Sequence, residues 1–209
     1  MQCGIDEAGR GPVLGPMVIS MVCGDQNLLL SMGVRDSQEL SPGRREKIYS
    51  DIIKSGCSVH SEILTSVEIN RLMKIKSLNE IEYDSVLRLV KLANAPVFID
   101  SFDTNERRLS ERIFRETGRE VVCKHRADSI FPAVMAASIV SKVRRDSIIS
   151  DLHVRYGDFG SGYPSDPRTI NFLRNSVTKG EDISEIVRTE WITYRKLIQE
   201  NRKNSAYRF

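Results

Sequence analysis

Residues 3–12 of the chain read Cys3-Gly4-Ile5-Asp6-Glu7-Ala8-Gly9-Arg10-Gly11-Pro12. A short apolar run ends at two adjacent carboxylates, and a glycine-flanked arginine follows at once. Successive side chains of a regular strand point to opposite faces, so Asp6 and Glu7 can act together only if the strand ends or bends at Glu7. Gly9 and Gly11 allow such a bend, which suits a metal ion that meets a phosphate. The alternative is a solvated strand end that leads into a Gly-Pro turn.

The composition is that of an ordinary soluble globular protein. Of the 209 residues, 40% are hydrophobic and 28% are charged. No apolar run reaches the roughly 18 residues that span a bilayer, and there is no signal-peptide pattern, so we expect a cytoplasmic protein without a membrane segment. The net charge of +3 permits nucleic-acid binding without demanding it. We also expect a monomer.

The four cysteines, at positions 3, 23, 57 and 123, show neither CxxC spacing nor clustering. The pattern therefore indicates neither a zinc site nor a disulfide framework. Cys3, Cys23 and Cys123 lie in or beside apolar runs, where cysteine usually acts as a small buried hydrophobe. A reducing cytoplasm fits this interpretation.

Apolar patterns and turn residues predict an α/β protein. Strands are predicted at the opening stretch and over residues 16–23, 57–65, 97–99 and 120–124. Helices are predicted over residues 42–56, 67–74, 78–93 and 104–117, in a long segment that Asp128 opens, after Asp166-Pro167, and from about residue 183. This order predicts a mixed five-stranded sheet flanked by helices, with three antiparallel strands and two added by helical crossovers. We expect a catalytic domain over residues 1–165 and a helical extension, residues 166–209, packed on it.

Carboxylates follow two of the predicted strands and open the long helix. Asp6 and Glu7 end the first strand, Asp100 ends the fourth, and Asp128 stands at the start of the long helix. In open α/β sheets, ligands collect at the carboxyl ends of parallel strands. If strands one and four are neighbours, Asp6 and Asp100 lie about 5 Å apart. Two negative charges this close repel each other unless cations lie between them. Hard oxygen ligands favour Mg2+ or Mn2+.

Two such ions would activate a water and stabilise the leaving oxygen of a phosphodiester displacement. This chemistry needs no catalytic histidine. We therefore interpret His60, His125 and His153 as structural residues of a strand, a loop and a helix.

Several segments together resemble the signature motifs of one nuclease family. They are Asp6-Glu7-Ala8-Gly9-Arg10-Gly11, Asp100-Ser101, Arg126-Ala127-Asp128, Ala137-Ser138-Ile139-Val140-Ser141-Lys142 and Gly160-Ser161-Gly162-Tyr163-Pro164. The chain is similar to ribonuclease HII in its archaeal single-domain form, from Gly4 to about Leu197. The resemblance implies the ribonuclease H-like fold and Mg2+- or Mn2+-dependent hydrolysis of RNA in RNA–DNA hybrids. It also implies incision at ribonucleotides embedded in DNA, leaving 3′-hydroxyl and 5′-phosphate ends.

The same resemblance assigns roles to individual residues. It implies that the catalytic metal ligands are Asp6, Glu7, Asp100 and Asp128. The backbone of Gly9, Arg10 and Gly11 would contact ribose 2′-hydroxyls, and Tyr163 would stack on the deoxyribose past the RNA-to-DNA junction. These assignments agree with the chemistry, since the 2′-hydroxyl distinguishes RNA from DNA and glycine lets a backbone approach closely.

One motif departs from the family pattern. The family usually has Asp-Ser-Lys-Lys-Leu, whereas this chain has Gln38 and Glu39 in place of the two lysines. Arg44 or Arg45 could supply the missing phosphate contact. Lys142 is a further candidate phosphate contact, and the basic run that it forms with Arg144 and Arg145 could instead be a solvated face.

The end of the chain offers two further predictions. Trp191 is expected to pack between helices. Tyr207 and Phe209 are candidates for docking on a sliding clamp, as the tails of archaeal relatives do. Two alternatives to the ribonuclease remain: a nuclease or strand-transfer enzyme of the same broad fold that acts on DNA junctions, and a non-catalytic nucleic-acid-binding module.

Overall fold

The structure is a computed structural model that describes residues 1–206, with side chains through residue 203. Its strands are β1 (Gln2–Ala8), β2 (Met17–Gly24), β3 (Ser58–Leu64), β4 (Val97–Asp100) and β5 (Val121–Lys124). Its helices are α1 (Gln26–Ser31), α2 (Pro42–Lys54), α3 (Ser66–Leu72), α4 (Leu78–Leu92), α5 (Glu106–Thr117), α6 (Pro132–Tyr156), α7 (Pro167–Lys179) and α8 (Ile192–Ala206). Short 3-10 turns lie at Ser37–Glu39 and Ala127–Ser129. In this part of the chain, no helix is both long and apolar enough to cross a membrane.

The five strands form one mixed sheet in the order β3-β2-β1-β4-β5. Strand β1 runs antiparallel to β2 and parallel to β4, and β4 runs parallel to β5. This confirms the predicted mixed five-stranded sheet. The parallel register pairs Ile5 with Ile99, so the next residues along the two strands are Asp6 and Asp100.

The first strand is longer than predicted. It does not end at Glu7, because β2 continues to pair with it through Glu7–Ile19 and Ala8–Val18. The ladder to β4, in contrast, reaches only Ile5. The chain leaves the sheet at Gly9, whose φ of 85° lies in the left-handed region that favours glycine.

The predicted helix starts are correct for α2 and α7. Ser41 and Asp166 cap these helices with their side chains, and a proline follows each cap. Two other boundaries were wrong. Asp128 lies in the separate turn Ala127–Ser129 and not in the long helix. Helix α8 begins at Ile192, because the preceding backbone pairs with another segment: Gly15 N–H donates to Ile186 O, and Leu14 bridges Val187.

The chain forms two compact units, each with its own core. The first comprises residues 1–8, 18–63 and 79–145, and the second comprises residues 9–17 and 64–78 and the chain from residue 146. The first core includes Val22, Ile48, Ile52, Ala136 and Val140. The second includes Leu14, Phe159, Leu173 and Val187. The boundary predicted at residue 165 lies inside the second unit, and the division into a catalytic domain and an extension stays a prediction.

Gly4 allows helix α6 to approach strand β1 unusually closely. A Cβ atom at this position would lie 2.1 Å from the carbonyl carbon of Ala133 and 2.2 Å from Val134 N. Since this neighbour is backbone, it cannot move aside as a flexible side chain would. Any larger residue would push α6 off the strand that carries Asp6.

Two cysteines contradict the prediction that the chain lacks disulfides. Cys3 and Cys23 stand directly opposite each other on β1 and β2, with Cα atoms 4.0 Å apart, and they form a disulfide. The spacing rules miss this pair because the strand register, not the sequence interval, brings the two residues together. Cys57 and Cys123 are free, and burial raises the pKa of the Cys123 thiol to about 11.

Candidate active site

Asp6 lies near the end of β1 and is only 5% exposed. Burial is the main cause that raises the pKa of its carboxyl well above the usual value, and the charges of Glu7 and Asp100 raise it further. Hydrogen bonds from Ser138 and from the Glu7 N–H, 2.8 Å from Oδ1, act in the opposite direction. The ionised carboxylate is therefore held in a place that disfavours negative charge, which a cation would relieve.

Asp100 ends β4 and is held by the turn that follows β5. Burial raises the pKa of Asp100, the N–H of Ala127 lowers it through a 2.7 Å hydrogen bond to Oδ1, and the charge of Asp128 raises it. The backbone N–H of Arg126 also lowers this pKa, as the weakest of these influences. Arg126 has φ 57° and ψ 37°, and it is the one non-glycine residue with positive φ in the part of the chain that the structure describes. Its left-handed backbone helps to direct the next N–H, that of Ala127, at Asp100.

Asp128 lies in the turn Ala127–Ser129 and is half-buried. Burial raises its pKa, and the charge of Asp36 raises it further, whereas Lys142 and Arg126 oppose the shift. Asp36 is a fifth carboxylate in this neighbourhood, and the sequence alone assigned it no role. The signal that could have found it is its position at the start of the motif Asp36-Ser37-Gln38-Glu39-Leu40, which departs from the family pattern.

The four predicted ligands are linked by mutual repulsion. Glu7 and Asp100 act on Asp6, and Asp128 acts on Asp100. Carboxylate oxygens are the donors that Mg2+ and Mn2+ prefer, so the chemistry of this set fits such ions. Within residues 1–206, however, no three histidine, cysteine or acidic side chains converge closely enough to hold one metal ion. The ligand assignment stays a prediction.

Lys142 ends a chain of hydrogen bonds that reaches Asp6. Its Nζ donates to Ser37 Oγ, and Ser37 Oγ lies 2.8 Å from Ser138 Oγ. Either hydroxyl of this serine pair could be the donor, and Ser138 in turn lowers the pKa of the Asp6 carboxyl through a hydrogen bond. The contact between Lys142 and phosphate stays a prediction. The structure adds that this lysine is linked to the Asp6 carboxyl through Ser37 and Ser138.

Arg45 and Arg145 are two of the basic residues that the sequence offered as candidates. Arg45 Nη1 donates to the carbonyls of Ser37 at 3.3 Å and Leu40 at 2.7 Å, and so supports the turn around the departing motif. Arg145 is only 6% exposed, so the interpretation of the basic run as a solvated face is wrong for this residue.

The Gly9–Gly11 loop belongs to the second unit and is held by two side chains. Arg188 donates to Gly9 O at 2.7 Å and to Arg10 O at 3.2 Å. Trp191 packs partly buried against the second core, as predicted, and its Nε1 also donates to Gly11 O at 3.0 Å. Sequence reasoning missed Arg188, although it shares a segment with Trp191.

Tyr163 lies against the same loop. A Cβ atom on Gly11 would be 3.5 Å from Cε1 of the tyrosine ring, so the ring is in contact with the glycine. The side chain is 39% exposed, which leaves part of the ring accessible. The structure therefore brings together Gly11 and Tyr163, two of the residues that the sequence predicts for substrate binding.

The histidines contact neighbouring polar groups, in agreement with their structural interpretation. Nε2 of His60 lies 3.0 Å from Ser58 Oγ. Nδ1 of His125 lies 3.2 Å from Ser101 O, and Nε2 of His153 lies 2.9 Å from Gly160 O.

Comparison with known proteins agrees with the resemblance seen in the motifs. The profile of the family described as Ribonuclease HII matches residues 3–194. The chain belongs to the ribonuclease HII family. A ribonuclease HII from Thermoplasma volcanium is 50% identical over 200 residues, which cover 96% of this chain and 94% of that protein. Membership makes the chain an endoribonuclease, a hydrolase of phosphodiester bonds, and implies cleavage of the RNA strand of RNA–DNA hybrids.

Solved structures confirm the ribonuclease H-like fold. In the PCNA:RNase HII complex from Archaeoglobus fulgidus, the matching chain has a TM-score of 0.88 and 39% identity, over 94% of this chain and 96% of that chain. Bst-RNase HIII, crystallised in complex with Mn2+, has a TM-score of 0.79 over 97% of this chain and 70% of its own. At 19% identity the second likeness shows the fold alone.

Proposed function

We propose that this member of the ribonuclease HII family also incises duplex DNA at single embedded ribonucleotides, by two-metal-ion hydrolysis that leaves 3′-hydroxyl and 5′-phosphate ends. The proposal depends on the placement of Asp6 and Asp100 on two neighbouring parallel strands, each directly after one of the paired residues Ile5 and Ile99. Both carboxyls have a raised pKa, caused first by burial and then in part by neighbouring carboxylates. Divalent cations would relieve this repulsion.

We propose that Asp6, Glu7, Asp100 and Asp128 hold Mg2+ or Mn2+. When bound, such ions would supply an activated water and stabilise the leaving oxygen. The chain's own contribution is orientation. The Glu7 N–H and Ser138 hold the Asp6 carboxylate, and the N–H of Ala127 holds that of Asp100. A carboxylate with fixed lone pairs loses little freedom when it binds a cation.

The Gly9–Gly11 loop is our candidate for recognising the ribose. The 2′-hydroxyl is the group that distinguishes a ribonucleotide from a deoxyribonucleotide, and backbone N–H groups can donate to its oxygen. Gly11 is exposed, and no side chain on it blocks an approaching sugar. Tyr163, in contact with Gly11, would stack on the next deoxyribose, and Lys142 would contact phosphate.

One gel tests the activity. The substrates are an RNA–DNA hybrid, a DNA duplex with one ribonucleotide and the same duplex with none, each with Mg2+, with Mn2+ or with EDTA. We expect both ribonucleotide-containing substrates to be cut only when metal is present. Cleavage of the all-DNA duplex alone would favour a DNA-junction nuclease, and binding without any cleavage would favour a non-catalytic module.

A sliding clamp is the protein partner that we propose. The Archaeoglobus fulgidus relative was solved in complex with PCNA, so we propose that this chain binds a sliding clamp through its C-terminal tail. Tyr207 and Phe209 lie outside the described residues. Removal of residues 204–209 should abolish clamp binding in a pull-down while hybrid cleavage continues.

We further propose that the protein is cytoplasmic and a monomer. Size-exclusion chromatography with light scattering would test the oligomeric state.

A further inference from the structure

Arg188 is a large, fully buried side chain of the second unit, with 0% exposure. Burial of a guanidinium is costly unless its N–H groups find acceptors. Its three nitrogen atoms each reach a main-chain carbonyl: Nε donates to Gly15 O at 2.9 Å, Nη1 to Arg10 O at 3.2 Å and Nη2 to Gly9 O at 2.7 Å. All three acceptors belong to one loop, so this cation is placed to fix the course of that loop.

The backbone of Arg188 fixes the same loop from a second side. Its N–H donates to Val13 O at 2.9 Å. Trp191 packs under the guanidinium, which lies 4.8 Å from its ring, and its Nε1 donates to Gly11 O. Thus the carbonyls of three successive residues, 9 to 11, are held by Arg188 and Trp191.

The direction of these carbonyls determines where the N–H groups point. A trans peptide places the N–H of a residue opposite the carbonyl of the residue before it, and the described chain contains no cis peptide. Since Gly9 O and Arg10 O point at Arg188, the N–H groups of Arg10 and Gly11 point away from it. The third peptide, which joins Gly11 to Pro12, has no N–H because proline lacks one.

We propose that Arg188 is a specificity-determining positioning residue. It holds the loop so that the N–H groups of Arg10 and Gly11 meet the ribose 2′-oxygen. This inference rests on the proposed recognition of embedded ribonucleotides. A lysine cannot replace the arginine, because one ammonium cannot reproduce a rigid fork that reaches three carbonyls. Trp191 supports the same loop through one hydrogen bond.

The test measures discrimination in binding. Arg188→Lys and Trp191→Phe are placed in an Asp6→Asn background, in which hydrolysis is blocked. Fluorescence anisotropy then gives the affinity for a DNA duplex with one ribonucleotide and for the same duplex without it. We expect Arg188→Lys to lower the ratio of the two affinities about tenfold and Trp191→Phe to lower it a fewfold, as loss of hydrogen bonds would. The affinity for the all-DNA duplex should stay within twofold.

Two controls separate positioning from stability. Arg155→Lys changes an exposed arginine that pairs with Glu185, and its ratio should match the background. Thermal melting shows whether each variant folds. If Arg188→Lys fails to fold, Trp191→Phe decides, because it keeps an aromatic ring and loses only the N–H donor. A folded variant with an unchanged ratio, or with equal losses on both duplexes, overturns the role of Arg188. A background protein without any preference for the ribonucleotide overturns the proposed function instead.

Discussion

In the first unit, carboxylates crowd at the ends of β1 and β4, whereas in the second unit three loop carbonyls converge on Arg188 and Trp191. The carboxylates repel one another, and burial makes their ionised forms less favourable. The Gly9–Gly11 loop has its carbonyls paired within its own unit. In the function that we propose, the first region takes a cation from outside, whereas the hydrogen bonds of the second are in place without a ligand. Cation binding would use the crowded charges of the first region, whereas recognition of a ribose would use the fixed backbone of the second.

The largest expected effect is on the carboxylate side. Asp6→Asn should reduce cleavage of a hybrid by more than about a hundredfold, the order of magnitude lost with one preorganised electrostatic group. Hybrid binding should persist, because it depends on lysine and arginine contacts with phosphates. Single-turnover kinetics and anisotropy measure the two quantities. Asp151→Asn, on an exposed part of α6, is the matched control, and equal activities of the two variants would contradict the role of Asp6.

The next effect concerns the strained turn that holds Asp100. Arg126→Val places a β-branched residue at φ 57°, at a cost of about 1–3 kcal/mol, and should weaken Mn2+ binding about tenfold or more. Arg126→Gly keeps the left-handed backbone and should bind Mn2+ nearly as well as the wild type. Isothermal titration distinguishes the two. Equal losses in both variants would show that the charge of Arg126 matters and its backbone does not.

A smaller effect is expected from the serine that supports Asp6. Ser138→Ala interrupts the hydrogen-bond chain from Lys142 and should lower Mn2+ affinity about tenfold, as removal of a partner of a metal ligand does. Ser141→Ala removes a buried hydroxyl of the same helix, one that donates to the main-chain carbonyl of Asp6 at 3.0 Å. It should cost stability and leave the affinity within a few-fold. Indistinguishable affinities in the two variants would remove Ser138 from the site.

The smallest effect is on the stability of the metal-free protein. The raised pKa of Asp6 means that the folded state binds its proton more tightly than the unfolded state. Stability should therefore fall as pH rises from the ordinary carboxyl pKa through the raised one. Asp6→Asn removes this dependence and should melt higher than the wild type near neutral pH in EDTA. Melting curves across pH test this difference, and a wild type that gains stability relative to the variant as pH rises would contradict it.

The sequence predicted much of the sheet and the carboxylates, because both leave local signals. Apolar strands that end on Asp6 and Asp100 are visible as short patterns, whereas the sequence analysis could only assume that the first and fourth strands are neighbours, which the structure confirms. The starts of the helices at residue 42 and at Asp166-Pro167 were also predicted, because helix capping is local chemistry.

The contacts that hold the candidate site in place have no comparable local pattern in the sequence. Arg188 and Gly9 are 179 positions apart, and no periodicity connects them. The Cys3–Cys23 disulfide depends on strand register, and the left-handed backbone of Arg126 occurs at a residue type with no preference for it. The predicted helix start near residue 183 was wrong because Ile186 pairs through its backbone with Gly15, which is also far away in sequence.

The decisive measurement is a calorimetric titration of Mn2+ into the wild-type protein and into Asp6→Asn. If the crowded carboxylates of the first unit are a cation site, the wild type binds Mn2+ with measurable heat, and the variant loses at least about tenfold in affinity. A wild type that binds no Mn2+, or a variant that binds it equally well, would show that these side chains serve another purpose.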